Sequence, residues 1–147
     1  MSQRILFVCL GNICRSPAAE GVFRVRAPHH VCDSAGTSDW HVGDPPYAPM
    51  QHAARNRGLE LSDLRARQFA VSDFDRFDLI IGMDSENIAK IEALRPADNP
   101  TPVRLLTDFA PHTGADHVPA PYYTRDFDGG LDLIEAAVDG LVAYLDG

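Results

Sequence analysis

RILFVCLGNICRSP, residues 4–17, is the stretch that decides the fold of this chain. Arg4 to Cys9 is an almost continuous apolar run, which is how a strand buried on both faces reads. A short turn follows, and then Ser16-Pro17, a pair suited to a helix start, with serine at the cap and proline at the first helical position. A buried strand that passes through a tight loop directly into a helix opens an α/β unit.

The pattern repeats outward from there. Ala19, Val22, Phe23 and Arg26 continue the first helix at helical spacing, and Val31 to Ala35 reads as a second strand. A Gly- and Pro-rich loop runs from Gly36 to Pro49, and Met50 begins a helix stopped by Gly58. Phe77 to Met83 is a third buried strand. Asp84 caps the next helix, with Ile88, Ile91 and Leu94 on one face, and Val103 to Leu106 is a fourth strand. Gly114 to Asp128 reads as loop. Leu131, Ile134, Val138, Leu141 and Leu145 stripe a last helix. Strands and helices alternate throughout, so a parallel sheet covered on both faces is expected, with ligands beyond the carboxyl ends of its strands.

The bulk composition fits one domain over residues 1–147, with 45% hydrophobic and 23% charged residues. A formal net charge of −8 argues against a nucleic-acid surface and leaves room for a small anion site. The apolar start is too short for a secretion signal, and no run reaches the length of a membrane span, so a cytoplasmic protein with no membrane partner is expected. The three cysteines, Cys9, Cys14 and Cys32, are an odd count that argues against a disulfide framework. The six histidines are scattered, and no metal-type cluster of Cys and His is visible.

Chemistry concentrates in residues 9–16, Cys-Leu-Gly-Asn-Ile-Cys-Arg-Ser. Five residues between a cysteine and an arginine can curl so that Leu10, Gly11, Asn12, Ile13 and Cys14 turn backbone N–H groups toward an oxyanion. The helix start adds free N–H groups and positive potential. Gly11 permits a backbone shape that other residues resist. Arg15 offers a planar fork for two phosphate oxygens. Cys9, at the floor, is placed to attack a bound phosphoryl group as a thiolate, and Ser16 can donate a hydrogen bond to its sulfur. Neither a GxGxxG fingerprint nor a GxxxxGK[ST] loop is present, which removes the usual nucleotide sites.

Val8 to Glu20, VCLGNICRSPAAE, closely resembles the signature of low-molecular-weight protein tyrosine phosphatases. Asp33 to Ser38, Gly43 to Pro46, Ala66 to Gln68, Met83-Asp84 and Pro121 to Tyr123 resemble further segments of the family, so the likeness spans nearly the whole chain. It implies a flavodoxin-like three-layer sandwich built on a four-stranded parallel sheet. It implies hydrolysis of phosphotyrosine proteins or other aryl phosphates through a phosphocysteine intermediate, with no cofactor and no metal. By the same likeness Cys9 is the nucleophile, Arg15 the phosphate clamp and Ser16 the aid to thiolate departure. Asn12 holds the loop through Ser34, and Leu10, Ile13, Trp40 and Tyr122 wall the slot. Cys14 is either a small apolar filler or a redox partner able to form a reversible disulfide with Cys9. Cys32 reads as inert core.

The resemblance breaks at one catalytic position. The family's acid loop reads Asp-Pro-Tyr-Tyr, whereas this chain has Ala120-Pro-Tyr-Tyr123. Alanine cannot protonate a departing phenolate, and loss of such a group costs about 10²–10⁴-fold in rate. Three readings follow: an introduced change that traps substrate, a natural phosphotyrosine-binding relative with little turnover, or an acid displaced to Asp126 or Asp128. Tyr47 is a second departure, standing after Pro46 where relatives often carry an acidic residue. Arsenate reductases use a similar loop and fold, but their relay needs later cysteines, and none follows Cys32.

Overall fold

The computed structural model describes residues 2–147. Strand β1 (Arg4–Cys9) runs through the loop into helix α1 (Arg15–Arg26), then strand β2 (Val31–Gly36) and helix α2 (Ala48–Arg55). A short helix α3 (Asp73–Arg76), strand β3 (Leu79–Gly82), helix α4 (Ser85–Ala93) and strand β4 (Val103–Leu105) follow. Two 3₁₀ turns, a short helix α5 (Pro121–Thr124) and helix α6 (Phe127–Asp146) complete the chain.

All strand pairs are parallel, in the order β2-β1-β3-β4. β1 is therefore central, and the apolar run reports this. Ile5, Phe7 and Cys9 face one core with α1, α2 and α6; Leu6 and Val8 face the other, with Phe74 of α3 and Ile91 of α4. Alternate residues point to opposite faces, so a strand covered twice has no polar positions to spare. Nine consecutive residues of α1, Arg15 to Phe23, are buried, which fixes the helix that emerges from the loop. This is the expected flavodoxin-like arrangement, four parallel strands with helices around them.

Several boundaries differ from the sequence reading. α1 begins at Arg15 with Cys14 at its cap position, so Ser16 and Pro17 lie inside the first turn. Ser16 does not cap, because its hydroxyl is engaged by Cys9 and Asn12. Residues 121–124, read as loop, form α5, and α6 starts at Phe127, four residues before the apolar stripe. Proline at the start of α5 and the Asp126 cap of α6 set these starts, while the stripe reports only the buried face. Asp84 caps α4 as expected, in a reciprocal pair with Asn87: its carboxylate accepts from Asn87 N at 2.8 Å, and Asn87 Oδ1 accepts from Asp84 N at 3.1 Å.

Candidate active site

The loop from Cys9 to Ser16 sits at the carboxyl end of β1, beside its two neighbouring strands. Its shape turns on Asn12. This residue has φ +56°, the left-handed region, which asparagine tolerates better than most side chains. Gly11 does not occupy that region, which corrects the sequence reading. What Gly11 provides is room, since a Cβ there would lie 3.1 Å from His41 Cδ2. Gly36 serves the same end from β2, where a Cβ would approach Leu10 O to 2.8 Å.

Both N–H groups and the oxygen of the Asn12 side chain are engaged. Nδ2 donates to Ser16 Oγ at 2.7 Å and Ser34 Oγ at 2.9 Å, and Oδ1 accepts from Arg67 N at 3.0 Å. Ser16 Oγ thus accepts from Asn12 and lies 3.0 Å from Cys9 Sγ, to which its hydroxyl donates when the sulfur is a thiolate. Asn12 N donates to the same sulfur at 3.3 Å. Two donors converge on Cys9 Sγ, an arrangement that stabilises a sulfur anion. The expected pairing of Asn12 with Ser34 is present; the third partner, Arg67, is an addition that only the fold reveals. Arg67 is itself clamped by Asp33 at 3.0 Å and by Asp73 at 3.0 Å.

Arg15 is 6% exposed and aims its guanidinium by two contacts. Nη1 donates to Asp84 Oδ2 at 2.7 Å and to Val118 O at 3.0 Å. Burial works against ionisation of Asp84, but the Arg15 bond and donors from Asn87 and Glu86 outweigh it and hold this carboxyl below the usual range. Asp84 was read from sequence only as a helix cap; its second oxygen is the anchor of Arg15. No local signal carries that pairing, because the partners lie 69 residues apart.

Above the loop opens a cavity of about 230 Å³. Cys9, Leu10, Gly11, Ile13, Cys14 and Arg15 line its floor, and Trp40, His41, Ala120, Pro121, Tyr122 and Tyr123 its walls. Leu10, Ile13, Trp40 and Tyr122 stand where the sequence reading put them. Trp40 is 70% exposed, so it fills no core. His41 and Tyr123 join the wall unforeseen. Tyr47 supports it from behind: its ring lies 5.0 Å from Tyr122, and its hydroxyl accepts from Arg125 at 3.0 Å.

Burial, and then the neighbouring Cys9, push the Cys14 thiol up to about 12, with Arg15 and Arg125 opposing. Burial and Glu20 push Cys32 up to about 12. All three are free. The displaced-acid candidates do not reach the cavity. Asp126 accepts from Gly129 N at 2.9 Å as the cap of α6, and Asp128 lies beside Arg57. His29, His30 and Asp146 do converge, within 4.8 Å, which the sequence did not show. Gln3 N donates to His30 Nδ1 at 2.9 Å, so the neutral ring carries its proton on Nε2 and donates it to Asp146 at 2.8 Å. That nitrogen has no lone pair for a metal, and the trio pins the end of α6 to the start of the sheet.

A cysteine and an arginine bracketing an anion-sized loop at the head of a parallel sheet make a thiol-based oxyanion site, the class of centre that thiol-dependent phosphatases use. Known proteins narrow the class. The family model described as low molecular weight phosphotyrosine protein phosphatase matches residues 4–147. The chain belongs to that family. It is 39% identical over 147 residues to the low molecular weight protein-tyrosine-phosphatase YfkJ of Bacillus subtilis, covering 96% of this chain and 94% of that one. It is 42% identical over 154 residues to the Streptomyces coelicolor enzyme, covering 97% and 93%. The crystal structure of YfkJ superposes with a TM-score of 0.94 at 38% identity, covering 99% of this chain and 96% of that one. A protein tyrosine phosphatase from Entamoeba histolytica, solved with Hepes in its active site, gives 0.92 at 34%, covering 99% and 97%. Among the described residues no helix is long and apolar enough to cross a membrane.

One buried acid stands behind the loop. Glu20 is 7% exposed, and its Oε1 accepts from Ser34 Oγ at 2.7 Å, extending the chain of hydrogen bonds that runs through Asn12 and Ser16 to Cys9. Burial pushes its carboxyl up to about 7, with the Ser34 bond and Arg24 opposing and Asp33 and Asp63 adding to the rise. The folded chain therefore keeps a proton that the unfolded chain releases near pH 4.5, the ordinary glutamate value. Stability from this group is full below that pH and is lost as pH rises through about 7. In denaturant melts, Glu20→Gln is expected to flatten the fall in stability between pH 5 and 8 by roughly 2 kcal/mol. Parallel curves for parent and variant would show that Glu20 folds without its proton.

Proposed function

We propose that this chain hydrolyses phosphotyrosine in proteins through a phosphocysteine formed on Cys9. The observation that carries the reading is the convergence of Asn12 N and Ser16 Oγ on Cys9 Sγ at the floor of an aromatic-walled cavity. Cys9 Sγ attacks phosphorus in line with the departing aryl oxygen. The loop amides and Arg15 hold the three remaining phosphoryl oxygens as charge redistributes. Ser16 steadies the sulfur when it leaves again. Leu10, Ile13, Trp40 and Tyr122 select a flat aryl ester over a short alkyl one, because only a long, flat ester both reaches the sulfur and fills the slot. The partners are phosphotyrosine proteins and phosphate-like anions, and three free thiols fit a reducing, cytoplasmic setting.

Ala120 makes turnover slow, since neither step has the family's carboxyl. A phosphotyrosine-binding module with little turnover is the second reading, and Ala120 is the observation that favours it. The two are separated by phosphate release from an aryl phosphate: an enzyme passes many equivalents, and a binder stops at or below one. Restoring the carboxyl with Ala120→Asp is expected to raise kcat by about 10²-fold, with Cys9→Ser in the same background silent. No gain would show that proton transfer does not limit the parent.

Cys14 is the proposed redox partner of Cys9. A buried thiol beside an oxidised Cys9 can close a disulfide before the sulfur reaches irreversible states. Peptide mapping after mild peroxide treatment is expected to find Cys9 joined to Cys14. A cross-link to Cys32, or sulfinic acid on Cys9 without any cross-link, would refute the pairing.

A further inference from the structure

If the chain turns over aryl phosphates at all, as proposed above, some group must supply the proton that Ala120 cannot. The carboxylates that touch Arg15 or follow Ala120 are engaged elsewhere. Asp84 holds Arg15 and caps α4, Asp126 caps α6, and Asp128 sits on Arg57. Among the residues lining the cavity there is no carboxylate. The lining side chains with an exchangeable proton are thiols, the phenols of Tyr122 and Tyr123, and His41. Imidazole is the one side chain of this set that as a class exchanges protons readily in both directions near neutral pH.

His41 is also held in place. The segment that carries it is stapled to the phosphate loop at both ends: Thr37 N donates to Cys9 O at 2.9 Å, Ser38 N to Leu10 O at 3.0 Å, and Tyr47 N to Ile13 O at 2.8 Å. The ring edge lies against Gly11, where an added Cβ would meet His41 Cδ2 at 3.1 Å. Asp44 Oδ2 lies 3.2 Å from His41 Nδ1. Asp44 is itself fixed, since its N donates to His41 O at 2.8 Å and its carbonyl accepts from Ala66 N at 2.8 Å. A carboxylate on Nδ1 sets the tautomer and leaves Nε2 as the exchanging nitrogen. This is the pairing by which a histidine base is oriented in hydrolases of unrelated fold.

We propose that His41, oriented by Asp44, is the acid and base of the phosphatase reaction in this chain, serving in place of the missing carboxyl at position 120. In the first step Cys9 Sγ bonds to phosphorus as the bond from phosphorus to the aryl oxygen breaks. The electron pair goes to that oxygen, and the Nε2 proton of the imidazolium follows it. In the second step neutral Nε2 takes a proton from water, whose oxygen bonds to phosphorus as the bond to sulfur breaks. The pair returns to sulfur, and the imidazolium is restored. The charged and titratable groups around the ring are Asp44 on its own segment, Cys9, Cys14 and Arg15 on the floor, and Tyr122 and Tyr123 across the mouth.

The test uses His41→Gln in two full-length backgrounds, the parent and Ala120→Asp. The substrates are phenyl phosphate, whose leaving group needs a proton, and 2,4-dinitrophenyl phosphate, whose leaving group does not. The parameter kcat/KM isolates the first transfer. In the parent, His41→Gln is expected to cost phenyl phosphate about tenfold more than it costs the dinitrophenyl ester. In the Ala120→Asp background the same substitution should cost phenyl phosphate no more than about threefold, because the restored carboxyl takes over the proton. Equal losses on both esters, or equal losses in both backgrounds, would reduce His41 to a wall residue and overturn the proposal. A parent that releases no more than one equivalent of dinitrophenolate would instead overturn the phosphatase reading, and this proposal with it.

Discussion

The amide of Asn12 is the constraint on which the site depends. It sits on a left-handed backbone, buried, and its side chain is tied to three different parts of the chain: α1 through Ser16, β2 through Ser34 and the segment after Leu64 through Arg67. A loop of inward-facing donors has no reason to keep that shape in water, where the donors would turn outward. Fixing it from one residue to three separate elements supplies the preorganisation that makes fixed donors effective toward developing charge. The cost of an unsatisfied buried amide then works in favour of a single arrangement, since any other leaves a polar group stranded.

The same logic explains how a chain of net charge −8 can present an anion site. Most of the acids lie on the surface, where water screens them, and buried Asp73 is paired with Arg67. At the cavity floor the local charge is Arg15, and the one carboxylate that touches it, Asp84, lies behind it and lines no part of the cavity. Asp84 and Val118 O aim the guanidinium and leave its remaining N–H groups to meet a ligand. Net charge describes the protein at a distance, and the site is governed by groups within a few ångströms of the phosphoryl position.

The phosphate loop and the cavity walls occupy different layers of the molecule. Cys9, Asn12, Arg15 and Ser16 are buried and belong to the ends of β1 and α1, so their geometry is that of the sheet. Trp40, His41 and Ala120 stand on connecting segments above it, and Tyr122 on the short helix α5. The side-chain hydrogen bonds of the cradle run among Asn12, Ser16, Ser34 and the Arg67 amide, and none passes through position 120. A chain can therefore carry alanine at position 120 and still hold the whole phosphate loop intact.

Much of this was legible in the sequence. The doubly apolar strand, the Cys-x5-Arg spacing and the helix that follows are local patterns, because they are set by backbone periodicity and by residues adjacent in the chain. They indicated the parallel α/β fold and drew attention to Cys9, Arg15 and Ser16, whereas the pairing of Asn12 with Ser34 came from the family resemblance. The departure at Ala120 was visible for the same reason, as one letter within a recognisable segment. What the sequence misplaced was Gly11, whose use is space under His41 and not a special φ. It also passed over Asp84 as the anchor of Arg15, Arg67 as the third partner of Asn12, Glu20 as a buried acid, and His41 as a wall residue beside Asp44. Each of these depends on which distant segments the folded sheet brings together. Hydrogen bonds and burial act across space, and chain order alone does not record who faces whom.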